Sequence, residues 1–132
     1  AGLGSPFLEE NLQPIIKFDM SIQSIYTLYM ADKEYYGFVW DENKNAINKK
    51  KHKVSFETAV RIFNDPCLYV EFDEENSTIE KSRYDYTGII DIGGMPILYV
   101  VATETGDKTR IISARKATEK EVLKYEQNAK NL

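Results

Sequence analysis

Apolar residues change their spacing along this chain, and the changes outline its elements. Ile22, Ile25, Tyr26 and Tyr29 recur at helical spacing, yet the same run is rich in β-formers, so residues 21–30 fit either a helix or a strand. Tyr36 to Trp40 reads as a short aromatic strand, and Asp41 is a favourable N-cap for a polar helix from Glu42 to about His52. Ser55 caps a second helix, in which Phe56, Ala59, Val60 and Phe63 fall at i, i+3, i+4 and i+7 and make one apolar face. Asp65-Pro66 ends it, because the residue before a proline avoids helical backbone. Leu68, Val70 and Phe72 then alternate with Tyr69 and Glu71 as a half-buried strand, which ends in an acidic turn from Asp73 to Ser77.

The second half is strand-rich. Arg83 to Ile90 alternates again, Gly93-Gly94 supplies a turn, and the near-unbroken apolar run from Ile97 to Thr103 suits a central strand. Thr105-Gly106-Asp107 turns into Thr109 to Ala114, and such short connections predict an antiparallel meander. Thr118 and Glu121 form a capping box that starts a last helix, Glu119 to about Lys130, with Val122, Tyr125 and Ala129 along one side. The fold class expected is α+β: an antiparallel sheet meander with two N-terminal helices and a C-terminal helix.

Residues 36–132 are expected to form the domain, and residues 1–35 an N-terminal extension. The chain begins Ala1-Gly2-Leu3-Gly4-Ser5-Pro6 without a methionine, which reads as a processed or appended end; Met20 and Met30 could each serve as a natural start. With 132 residues, 42% of them hydrophobic, the chain suits one domain with a real core. It has no apolar run long enough to span a membrane. The lone Cys67 has no internal disulfide partner, and with one histidine it cannot build a structural zinc site, so no metal or cofactor is expected and a reducing cytoplasm fits best.

Charge is segregated beneath a net of −4. Residues 44–53 carry Lys44, Lys49, Lys50, Lys51, His52 and Lys53 without an acid, whereas residues 65–80 carry Asp65, Glu71, Asp73, Glu74, Glu75 and Glu80 without a base. Residues 108–124 are basic again, so an acidic chain can still offer one positive face to nucleic acid. Arg110, Arg115 and Lys116 stand at the exit of a strand and the mouth of a helix, where backbone dipole and guanidinium forks favour the same anion.

From Tyr36 onward the chain resembles the BrnT family of bacterial toxins. The resemblance rests on W-D-E-N-K-N at Trp40 to Asn45, K-H-K-V-S-F-E at Lys51 to Glu57, F-N-D-P at Phe63 to Pro66, Arg83-Tyr84 with Gly88, R-I-I-S-A-R-K-A-T at Arg110 to Thr118, and Tyr125-Glu126. It departs from the family pattern at Ala102-Thr103-Glu104-Thr105, where an aromatic or histidine followed by T-E-R is common.

The resemblance implies a RelE-like fold and a metal-independent endoribonuclease that arrests growth. It implies as partners a cognate BrnA-like antitoxin, RNA as substrate, free or ribosome-associated, and operator DNA only through the antitoxin. Cleaving RNA without a metal needs a proton acceptor for the ribose 2′-OH, cations for the crowded phosphorane and an acid for the leaving oxygen. On this reading Arg83, Arg110 and Arg115 are the expected phosphate clamp and His52 the proton shuttle, with Lys49, Lys51, Lys116 and Tyr125 contacting substrate. The alternative is a non-catalytic protein- or RNA-binding module of the same fold.

Overall fold

Tyr36 and Gly37 both lie at positive φ, 51° and 89°, and between them they reverse the chain from strand β1 (Asp32–Tyr35) to β2 (Phe38–Asp41). Positive φ at both central positions matches the twist of paired strands, so the aromatic run expected as a strand from Tyr36 is first a turn and only then a strand. The structure is a computed structural model and describes residues 32–91 and 96–132; the segment 21–30, the start of the chain and the Gly93-Gly94 turn lie outside the described residues. The chain divides into two units, Ala1–Asp32 and Lys33–Leu132, and apart from Asp32 every element below belongs to the second.

Helix α1 (Glu42–His52) begins where expected, with the Asp41 carboxylate accepting from the Asn43 amide at 2.8 Å. It ends on Lys53 in the left-handed conformation, with His52 and the cations Lys49, Lys50 and Lys51 in its last turn, where carbonyl dipoles favour positive charge. Ser55 caps α2 through the Thr58 amide, but α2 (Phe56–Ala59) is a single α-turn that tightens into a 3₁₀ turn over Val60–Asn64. The tighter winding brings Ile62, rather than Phe63, fully into the core beside Phe56, Ala59 and Val60.

The remaining strands are β3 (Tyr69–Phe72), β4 (Ser82–Ile89), β5 (Ile97–Thr105) and β6 (Lys108–Lys116), followed by α3 (Glu119–Lys130). The sheet order is β1-β2-β6-β5-β4-β3. The expected meander is present as antiparallel β4, β5 and β6, while β2 joins β6 in parallel through the pairs Phe38 with Thr109 and Val39 with Arg110. The result is an α+β domain with one largely antiparallel sheet.

One face of that sheet carries the core. Trp40, Leu98, Val100, Ala102, Ile111 and Ala114 are buried there against Phe56, Ala59 and Ile62 from α2 and the 3₁₀ turn. Gly88 admits this turn: a Cβ there would meet Leu68 Cδ1 at 2.9 Å and Ile62 Cβ at 3.1 Å. Two buried asparagines tie α1 in. Asn45 accepts from the Phe56 amide at 2.8 Å and donates to Glu57. Asn48 donates to the carbonyls of Val54 and Ala114 and accepts from the Ala114 amide, so a side chain completes the edge of β6 where the short β2 ladder has ended.

Strand β3 keeps its apolar set on the core side of the sheet, with Val70 opposite Tyr86 and Phe72 opposite Tyr84, but beyond the reach of the core. Val70 and Phe72 are 45% and 54% exposed, whereas Tyr69 and Glu71 are half-buried against the side that carries α3. Alternation was present, but the core ends before this last strand, so its apolar side chains overhang the edge.

Candidate functional site

The opposite face of the sheet carries the charged residues. Register places Arg83 opposite Thr103, and Thr103 opposite Arg110, so the two arginines flank one threonine in a single row across β4, β5 and β6. Two strand spacings put their backbones about 10 Å apart. The next row of that face holds Glu71, Asp85, Val101 and Ser113, and the one beyond it Tyr69, Thr87, Tyr99 and Arg115. Arg115 therefore lies about 13 Å further along the strands than the Arg83 and Arg110 row.

This shared face depends on an irregularity. Val101 pairs with Ser113 and Ala102 with Ile111, which leaves Ile112 as an extra residue in β6. Without it, residues five apart such as Arg110 and Arg115 would project to opposite sides.

Each guanidinium has local company. Arg83 Nε lies 3.6 Å from an Asp73 carboxylate oxygen, too far for a hydrogen bond, and that buried nitrogen has no hydrogen-bond partner among the described residues. Arg115 makes two parallel bonds of 2.9 Å to Glu121 and sits 4.3 Å from the centre of the Tyr99 ring. The expected capping box is present, with the Thr118 amide and hydroxyl both engaged by Glu121. The same carboxylate thus caps α3 and grips Arg115. Partial burial opposes its ionisation, yet the bonds from Arg115 and Thr118 outweigh this and hold it below the usual glutamate range. Burial first, and then a hydrogen bond to Asp85, push the Tyr99 hydroxyl well above the usual tyrosine range, so Tyr99 is a proton-bearing donor on this face.

The other sequence-derived candidates lie elsewhere. Lys49, Lys51 and His52 occupy the last turn of α1, and Asn48 fixes this helix to Ala114 on the β6 edge. Lys116 is exposed at the end of β6, opposite Leu98. Tyr125 is 5% exposed and its hydroxyl donates to Asp65 at 2.7 Å. Asp65 also accepts from the amides of Cys67 and Ile89, so the F-N-D-P segment joins the 3₁₀ turn, β4 and α3. Sequence reading did not single out Asp85, Tyr99, Thr103 or Ser113; the alternation Arg83-x-Asp85 and Tyr99-x-x-x-Thr103 was the available signal. Among the described residues no group of three or more histidine, cysteine or carboxylate side chains is arranged to hold a metal, and no helix is long and apolar enough to cross a membrane.

The protein is a small α+β domain that sets Arg83, Arg110 and Arg115 on one face of its sheet. The particular family is shown by sequence: residues 40–121 match the family of the ribonuclease toxin BrnT of type II toxin–antitoxin systems, and the chain belongs to that family. Among solved structures it is similar to the Brucella abortus ribonuclease toxin BrnT, with 23% identity over 61% of this chain and 94% of that one and a TM-score of 0.43. No curated protein matches.

Proposed function

We propose that the chain is an endoribonuclease toxin of the RelE-like kind, cytoplasmic, that cuts RNA without a metal and is silenced by a BrnA-like antitoxin. The observation that carries this reading is the row in which Arg83 and Arg110 flank Thr103 on one face. Two guanidinium groups reaching over a shared threonine from either side can grip one phosphate and hold it for attack by the neighbouring ribose 2′-OH. As that oxygen bonds to phosphorus and loses its proton, negative charge builds on the phosphorane, and fixed cations stabilise it more than they stabilise the substrate. The bond from phosphorus to the 5′-oxygen breaks as the new one forms, and that oxygen leaves with a proton; His52, the expected shuttle, would accept the 2′-OH proton and supply this one. Arg115 stands too far along the strands to share that phosphate and suits the next stretch of the same backbone.

Pairing of Arg115 with Glu121 and of Arg83 with Asp73 favours the second reading, a binding module whose cations are structural. Cleavage of RNA by the purified chain, in buffer containing a chelator, separates the two. The enzyme reading expects Arg83→Ala and Arg110→Ala each to cut the rate by about a hundredfold with the fold intact. Equal residual cleavage by wild type and the double variant leaves the binding module.

A further inference from the structure

Strand β3 is the last of the sheet, and among the described residues no strand lies beyond it. The Asp73 amide donates to the Arg83 carbonyl at 2.8 Å in the pair that continues the β3–β4 register. Antiparallel alternation then turns the backbone of Tyr69 and Glu71 inward and that of Val70 and Phe72 outward. The two residues whose amides and carbonyls face outward are also those whose apolar side chains are exposed, and Phe72 extends that surface through its ring contact with Tyr84 at 5.3 Å. Ile79, in the following loop, is also fully exposed.

Proteins ordinarily blunt such an edge with lysine, proline or a bulge. Here Y-V-E-F has none of these, and the loop beyond presents exposed Glu74, Glu75 and Glu80 with no base anywhere from residue 65 to residue 80. A second copy of the same edge would set these acids against one another. We propose that the outer edge of β3 docks an extended segment of the partner antitoxin as an added strand, with apolar side chains over Val70 and Phe72 and lysines or arginines against Glu74, Glu75 and Glu80. The partner's identity rests on the toxin–antitoxin reading above; the surface does not involve the arginine face.

The test uses the full chain and the antitoxin encoded beside it. Binding is expected to weaken with salt and to protect the Val70 and Phe72 amides from hydrogen exchange. Val70→Pro removes an outward donor without touching the β3–β4 ladder, and Phe72→Lys places a cation on the docking surface. Each is expected to weaken binding about tenfold or more, and each free variant should cleave RNA as wild type does. If Val70→Pro loses its circular dichroism spectrum, Phe72→Lys decides. Wild-type affinity in the variants, protection confined to the arginine face, a self-paired dimer through β3, or no complex at all would overturn the proposal. Cleavage by the free wild-type chain reports separately on the ribonuclease reading.

Discussion

Arg110 and Arg115, five residues apart on one strand, share a face of the sheet because Ile112 between them is a bulge. The same residue lets Ile111 and Ala114, three apart, both enter the core on the other side, where they are 2% and 0% exposed. One extra residue therefore sets two patterns at once. Deleting Ile112 should break both: whichever half of β6 keeps its register, either Ile111 or Ala114 leaves the core, at about 2–4 kcal/mol for Ile111, and the two arginines part company. Thermal melts and RNA cleavage on the deletion variant are expected to fall together, whereas Ile112→Val, which keeps the residue count, should leave cleavage near wild type.

The arginines should not be equivalent. Arg110→Lys keeps the charge but loses the planar fork, and it is expected to recover little of the cleavage lost in Arg110→Ala. Arg115→Ala removes a bidentate pair that is partly exposed, so its stability cost should stay near 1 kcal/mol or less. Single-turnover rates and chemical denaturation of the same variants check this. His52→Ala tests the proton-shuttle role expected of this residue, and a loss of about a hundredfold in cleavage rate with the fold intact is the outcome that role requires.

Asn48→Ala should be among the most damaging single changes in the domain. Its amide meets three buried backbone groups, two of them at Ala114. Truncation leaves those groups without partners, at roughly 2–4 kcal/mol. Asn48→Asp should be at least as harmful, because a carboxylate cannot donate to the carbonyls of Val54 and Ala114. Urea denaturation measures both.

Stability should fall at both ends of the pH scale, with different residues responsible. Glu121 and Glu57 have pKa values below the ordinary 4.5, so the stability they contribute is full above that value and is lost as pH falls through their lower folded values. Burial pushes Tyr86, Tyr99 and Tyr125 above the ordinary 10.0, so the stability they contribute is full below that value. It is lost as pH rises further and the unfolded chain ionises first. Glu121→Gln should flatten the acid limb and Tyr86→Phe the alkaline limb of a plot of melting temperature against pH.

Local chemistry was legible in the sequence wherever neighbours along the chain settle it. Asp41, Ser55 and the Thr118–Glu121 box act over a few residues, and the helix starts they predicted are those observed. The meander followed from short connections. What needed the whole fold was hidden. Alternation in β3 shows which side chains share a face, but not that the core stops short of this last strand and leaves Val70 and Phe72 exposed on it. The bulge has no signature in R-I-I-S-A-R, since only the partner strand reveals the extra residue. The parallel pairing of β2 with β6 joins segments separated by most of the domain. Arg115 illustrates the same limit at the candidate site: its strand-end position beside a helix start was readable, but the carboxylate that occupies it belongs to the cap.

That shared carboxylate ties Arg115 and the opening turn of α3 into one unit. Removing the Glu121 carboxylate would release the guanidinium and leave the Thr118 amide without this acceptor in the same step. Freedom of the Arg115 side chain and fraying of the first turn of the final helix are thereby linked, so that a change which loosens one loosens the other.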